Sequence, residues 1–302
     1  MMAISRAALT GFAADLGGTK TAAARIEGGQ VVDRRVVTTD PDADPDAQIA
    51  AIADQLTHLG YSNDAPLGVA VAGRVDRAGI WHAVNQGTLT AVQNVPLASM
   101  LTARLGSATC LNDAAAAALA EGVFGSGSQS ENFAYLTVST GVGGGLVIAN
   151  RLLSSSNGLA GHIGFVSSRL ARGPCGSGRM ATVESIAGGR GIAAAAAASG
   201  HKNTDARAVF AAADEGLDWA DRIIETSAAA VAALIGDLTA ILGLDTVAMG
   251  GSIGLAPGYI HRVQSVLREE PILFRPQLVH AELGHDGPLI GALAAHLRKD
   301  IP

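Results

Sequence analysis

The chain has 302 residues, 48% of them hydrophobic, with 21 Lys and Arg against 27 Asp and Glu. That length exceeds what one hydrophobic core ordinarily serves, so two lobes are expected; slight acidity without a dense basic cluster argues against a nucleic-acid partner. The only cysteines, Cys110 and Cys175, are too few for a disulfide framework and fit a reducing cytosol better than secretion.

Residues 1–10 hold no long apolar stretch and do not read as a signal peptide. The apolar run 11–14 feeds Asp15-Leu16-Gly17-Gly18-Thr19-Lys20; residues 21–26 resume as a second strand and 30–38 as a third. Ile49, Ile52, Ala53, Leu56 and Leu59 recur at helical spacing, and 67–72 is another apolar strand, ending at Gly73-Arg74. Asn112-Asp113 stand directly before an alanine-rich helix that reaches Phe124. After the polar stretch 125–131, strand 133–138 runs into Ser139-Thr140-Gly141-Val142-Gly143-Gly144-Gly145 and a return strand at 146–148. This repeats the opening of the chain and predicts a duplicated α/β architecture. Trp219, Ile223, Val231, Leu234 and Leu238 outline a long helix. Its apolar window, 227–244, is alanine-rich and broken by Gly236 and Asp237, so it reads as a buried core helix and no membrane partner is expected. Strand 246–249 then enters a third glycine turn, Gly250-Gly251-Ser252.

Turns without side chains let backbone N–H groups crowd around an anion. Two such turns predict one polyphosphate held from both sides, with Asp113 placed as a base beside it. The third turn would approach the α-phosphate or ribose, helped by the dipole of the helix that follows. Simpler explanations exist for each piece: Asn112-Asp113 also fits an N-cap pair, and the Asp15 turn alone fits a tight hairpin. The combination reads as an ATP-dependent phosphotransferase with a cleft between two lobes.

These turns, Asn112-Asp113 and the stretch Asn157-Gly158-Leu159-Ala160-Gly161-His162-Ile163-Gly164 together resemble the ROK family of sugar kinases. The resemblance extends to Gly189-Arg190-Gly191-Ile192-Ala193-Ala194-Ala195 and Gly250-Gly251-Ser252-Ile253-Gly254-Leu255-Ala256, and is greatest to the branch acting on N-acetylmannosamine. It implies the two-lobed actin/hexokinase-like (duplicated ribonuclease H-like) fold, with lobes at 1–115 and 116–285 and a helix at about 286–302 packing back on the first. It also implies that Asp113 is the general base on the sugar's 6-hydroxyl, with Gly73, Arg74, Asn85, Asn112, His162 and Glu184 contacting the sugar. Asp15, Gly17, Gly18, Thr19, Lys20, Thr140, Gly141, Gly143, Gly250, Gly251 and Ser252 would serve ATP, and Asp15 would hold Mg²⁺ through water. His162 stands where most sugar kinases of the family carry a glutamate, which argues against a plain glucokinase. The likeness further implies a homodimer through the second lobe.

The family usually carries a zinc ion on one histidine and three cysteines; those places here read Phe165, Cys175, Ser177 and Thr182. Three of the four donors are missing, and no zinc is expected. Phe165 and Met180 are expected to brace the loop instead. Rival readings are a kinase of the same fold acting on glucose or N-acetylglucosamine, and a catalytically silent sugar-binding protein. A DNA-binding repressor of the same family is disfavoured, since only fourteen residues precede Asp15.

Overall fold

The computed structural model describes residues 5–85 and 87–298; the first four residues and the last four of the expected 286–302 segment lie outside it. The first half contains β1 (Gly11–Leu16), β2 (Lys20–Glu27), β3 (Gln30–Thr38), α1 (Pro45–His58), β4 (Leu67–Val71) and the two-residue strands β5 (Arg74–Val75) and β6 (Trp81–His82). It continues through α2 (Leu97–Leu105), β7 (Ala108–Asn112) and α3 (Asp113–Phe124). Its sheet has the order β3-β2-β1-β4-β7, antiparallel across β1, β2 and β3 and parallel from β1 through β4 to β7. α1 starts where Asp44 accepts the Ala47 N–H at 2.7 Å and Pro45 occupies the first turn. It buries Ile49, Ile52 and Leu56, the stripe expected from the sequence.

The second half contains β8 (Phe133–Val138), β9 (Val142–Ile148), β10 (Arg151–Leu152), α4 (Glu184–Ala187), α5 (Gly189–Ala198) and α6 (Ala206–Asp214). After these come α7 (Asp218–Leu242), β11 (Thr246–Gly250), α8 (Gly251–Gly254), α9 (Tyr259–Leu267), β12 (Gln277–His280) and α10 (Gly287–Leu297). Its sheet order, β10-β9-β8-β11-β12, repeats the first: an antiparallel meander whose first strand also begins a parallel run. The duplication predicted from two glycine turns is therefore present strand for strand, and each turn joins the first two strands of its sheet. α7 is long and apolar enough to span a membrane, and its Ile224, Ala228, Val231, Leu234 and Ile235 are buried in the second core. It ends at Gly243, whose left-handed φ of 61° closes the helix.

The sequence pattern does not single out β7, β12, α2, α5, α6 or α9. β7 shows the reason: all five of its residues are only partly buried, so no alternation of apolar and polar residues marks it.

The chain finally returns to its beginning. α10 buries Leu289, Ile290 and Leu293 against Ala13, Ala24, Ile26 and Leu119. The approach is close: a Cβ on Gly68 would fall 2.1 Å from the Ala292 carbonyl carbon, and one on Gly291 only 1.8 Å from the Ala116 carbonyl oxygen. Backbone cannot yield there as a side-chain end can, so a larger residue must push the helix off. Gly291→Val should therefore lower stability by at least about 1–3 kcal/mol, read as a reduced urea midpoint; a wild-type midpoint would show that α10 does not pack this way.

Candidate active site

β7 delivers Asn112 and Asp113 to the start of α3. Asn112 is an N-cap: its Oδ1 accepts the Ala115 N–H at 3.0 Å. Its amide nitrogen donates to the Gly73 carbonyl and to Asp113 Oδ1, both at 2.8 Å. The Ala114 N–H reaches the same Asp113 oxygen at 2.8 Å. Both bonds thus fall on Oδ1 and fix the carboxyl at the positive end of α3. Burial raises the Asp113 pKa, and these hydrogen bonds oppose the rise without cancelling it. The N-cap reading holds for Asn112, whose bonds aim Asp113.

Asp113 lines a cavity of about 440 Å³ between the two sheets. Gly18 and Thr19 of the first turn and Thr140 and Gly141 of the second line it too. Among the described residues these four backbone N–H groups donate no hydrogen bond. Gly18 and Gly141 are half-buried, where amides are seldom left so, while Thr19 and Thr140 stand exposed at the tips of the turns. Gly17 differs: its N–H closes the first turn onto the Lys20 carbonyl at 3.0 Å, so it is spoken for. Thr39 braces that turn by donating to the Gly17 carbonyl at 2.9 Å. The second turn is tied to α5, where Gly189 N–H donates to Ser139 at 2.7 Å and Arg190 N–H to Thr140 at 3.2 Å.

Asp15, at the end of β1, does not line the cavity; its Oδ1 is sealed from solvent with no hydrogen-bond partner. Burial, reinforced by the nearby Asp113 charge and partly offset by Arg34, pushes its pKa up to about 7. An orphaned carboxylate oxygen beside a second carboxyl is a donor set that fits a hydrated divalent cation. Lys20 lies on the exposed start of β2, outside the cavity lining.

Gly73, Asn85, His162 and Glu184 line the same cavity. Gly73 has φ +104°, and a Cβ there would meet the His82 carbonyl oxygen at 2.5 Å, so the position demands glycine. His162 is held below its ordinary pKa by burial and the Arg74 charge; its Nε2 is buried without a partner. It therefore offers a neutral imidazole to a ligand. Arg74 is not in the main cavity: its guanidinium donates to the Asn157 carbonyl and faces an adjoining recess with His82, Gln93 and Asn94. Gly250, Gly251 and Ser252 also stand outside the lining, although Ser252 meets Ser139 of the second turn at 3.1 Å. Gly250 is the N-cap of α8, which contains Gly251 and Ser252 and is a single turn, too short for the expected helix dipole.

Gly143 lines the cavity from within β9, and its neighbours explain the rest of the glycine run by packing. A Cβ on Gly145 would lie 2.5 Å from Ala118 Cβ, and one on Gly144 2.4 Å from Ile163. These glycines let α3 and the following loop close on the sheet.

The places where the family carries zinc donors have other uses here. Phe165 stacks on His162 with ring centroids 5.9 Å apart, Cys175 Sγ meets Ser177 Oγ at 3.0 Å, and Thr182 is fully buried. One thiol among a phenyl ring and two hydroxyls does not fit a tetrahedral zinc site. Met180 is 58% exposed, so its side chain does not brace the loop as expected, although its backbone bridges to Pro174. Backbone bonds hold the loop: Ser168 N–H to Ala181 at 2.8 Å, Ala181 N–H to Gly173 at 2.9 Å and Cys175 N–H to Arg179 at 2.9 Å.

Sequence reasoning missed Thr88, Ser139, Ser177 and Arg190 as site residues. Thr88 comes from a loop folded over the first turn, where a Cβ on Gly18 would fall 2.4 Å from its methyl; nothing local in the sequence announces that approach. Among the described residues Arg190 is the single Lys or Arg lining the cavity, and its place after a glycine pair at a helix start was the available signal.

The raised pKa of Asp15 fixes a sign. The folded chain holds this proton more tightly than the unfolded one, so the stabilisation is complete below the ordinary aspartate value of 3.8 and is lost as pH rises through about 7. Asp113→Asn removes one of the two buried charges. In magnesium-free buffer it should raise the thermal midpoint at pH 8, with a smaller gain at pH 5; a lower midpoint at pH 8 would contradict the burial assigned to the pair.

The ROK family model matches residues 12–299. The bifunctional enzyme NanE/NanK of Brucella suis biovar 1 is 39% identical over 281 residues, covering 93% of this chain and 52% of that protein. The chain thus spans about half the length of that relative. N-acetylmannosamine kinase of Escherichia coli O139:H28 is 40% identical over 286 residues, covering 94% and 97%. The crystal structure of the ROK hexokinase from Thermus thermophilus superposes with a TM-score of 0.82 at 29% identity, covering 95% and 98%. A paired α/β fold with two glycine turns facing one cavity, matched in sequence along nearly its whole length, places this chain in the ROK family.

Proposed function

We propose that the chain is an ATP-dependent N-acetyl-D-mannosamine kinase that phosphorylates the 6-hydroxyl to give N-acetylmannosamine 6-phosphate. The observation that carries this reading is the meeting of a pinned, cavity-facing Asp113 with four unpartnered amides from two mirrored turns. The choice of sugar is supported by the named activity of relatives at 39–40% identity and by a neutral His162 with a free Nε2.

Phosphoryl transfer requires positioning and charge stabilisation more than covalent help. The N–H groups of Gly18, Thr19, Thr140 and Gly141 would hold the β- and γ-phosphates. Asp113 would accept the proton of the 6-hydroxyl as its oxygen bonds to the γ-phosphorus and the bond to ADP breaks; the raised pKa makes it a stronger base than an exposed aspartate. His162 and Asn85 would orient the sugar, with Gly73 shaping the wall. Mg²⁺, held through water by Asp15, would neutralise phosphate charge when bound. Arg74, outside the main cavity, would act on the sugar only through the wall and the His162 environment. Gly250, Gly251 and Ser252 would support the second turn and the nucleoside side. Sialic acid breakdown in the cytoplasm as a homodimer completes the reading. The likeness to a ROK hexokinase keeps phosphorylation of glucose or N-acetylglucosamine as the second one.

ADP release measured over a panel of hexoses and N-acetylhexosamines decides between them: fastest turnover on N-acetylmannosamine is expected, and turnover on glucose without any on N-acetylmannosamine would reject the substrate. Asp113→Asn should keep sugar binding and lose about 10²- to 10⁴-fold in kcat; retained turnover would remove Asp113 from the mechanism.

A further inference from the structure

Glu184 stands between the two halves of the site. Its Oε2 accepts the Val142 N–H of the second turn at 3.1 Å, and its Oε1 accepts the Gly176 N–H at 3.0 Å. The carboxylate occupies the space a side chain on residue 141 would need, since a Cβ there would fall 2.4 Å from Oε2. Gly176 belongs to the loop that brings Ser177 to the cavity, and a Cβ on it would meet Asn85 Nδ2 at 2.8 Å and Arg190 Nη1 at 2.9 Å.

The base of this carboxylate is itself fixed. Glu184 opens α4, and the turn before it is closed by reciprocal bonds: Thr182 N–H to Ser185 Oγ at 3.1 Å and Ser185 N–H to Thr182 Oγ1 at 3.2 Å. Ser185 Oγ also donates to the Thr182 carbonyl at 2.8 Å. Thr182, at a place where the family carries a zinc-binding cysteine, has become the hydroxyl half of a helix-start clasp.

We infer that Glu184 is a positioning residue for the nucleotide: by taking the Val142 and Gly176 N–H groups on its two oxygens, it holds the second turn in the shape that leaves the Thr140 and Gly141 amides free for phosphate. The inference rests on the phosphate reading of that turn and adds a role that contact with sugar would not give. Two charge-assisted hydrogen bonds from one carboxylate set the geometry. Loss of the Oε2 bond frees the Val142 N–H and the shape of the turn, and loss of the Oε1 bond frees the Gly176 loop. Because the same carboxylate holds the loop of Ser177, the sugar-side loop and the phosphate turn are mechanically joined, and energetic coupling between them is reciprocal.

The test is calorimetric binding of a non-hydrolysable ATP analogue with Mg²⁺ and no sugar present. Glu184→Ala and the isosteric Glu184→Gln, which can serve only one of the two amides, should each weaken binding about tenfold or more. A wild-type affinity in Glu184→Gln, with sugar affinity reduced, would overturn the inference and leave only a sugar contact. Gly141→Ala, which displaces the carboxylate from the turn side, should raise KM for sugar several-fold; an unchanged sugar KM would deny the joining of loop and turn. Failure of the wild-type chain to bind the analogue would overturn the phosphate reading itself, an outcome distinct from equal binding by wild type and variants.

Discussion

The constraint on which the structure depends is a set of polar groups denied partners inside the fold. Among the described residues the amides of Gly18, Thr19, Thr140 and Gly141 donate to nothing, and Asp15 Oδ1 and His162 Nε2 are buried without a partner. Each unmade hydrogen bond at a desolvated group costs about 1–3 kcal/mol, a cost that falls on Asp15 Oδ1 and His162 Nε2 and in part on the half-buried Gly18 and Gly141, while Thr19 and Thr140 are exposed. Here donors face donors across a cavity lined by Asp113, whose pKa is raised, with the Asp15 carboxyl, also raised, buried behind it. An anion with an associated cation satisfies both classes at once, and stability withheld from the empty fold becomes binding free energy.

The duplicated sheets explain how distant residues arrive together. In each sheet the glycine turn links the first strand to its antiparallel neighbour, while the same first strand pairs in parallel with the next. α3 lies between the two: Asp113 opens it beside the first sheet, and its later alanines press on β9 of the second. The absence of side chains at Gly144 and Gly145 permits that approach. One run of glycines therefore serves two physical purposes, with free amides at its start and helix packing along its strand.

Much of this was legible in the chain. Strand, glycine turn and strand are marked by local composition, and both hairpins are present, although the second return strand begins at Val142 and takes in glycines that the pattern assigns to the turn. Asp113 stood out as a carboxylate before an alanine-rich helix between two such turns, although the pair Asn112-Asp113 also fits an N-cap, a use that Asn112 makes. Contacts made by loops were not legible. Thr88 reaches Gly18 across the fold, and Arg74, adjacent in sequence to Gly73, turns toward Asn157 instead of into the cavity. Gly17 shows the limit within a motif: the turn was read correctly, yet only coordinates of its hydrogen bonds separate the amide that closes it from the two that remain free. The loop at 166–183 shows another. Missing thiolates were visible in the sequence, but backbone bonds and the Thr182–Ser185 clasp carry no compositional mark.

The most direct measurement is a crystal structure of the chain with N-acetylmannosamine and a non-hydrolysable ATP analogue bound. The account predicts the terminal phosphates within hydrogen-bond distance of the Gly18, Thr19, Thr140 and Gly141 amides, with the sugar's 6-hydroxyl against Asp113. Phosphates bound elsewhere, or a sugar hydroxyl turned away from Asp113, would contradict it.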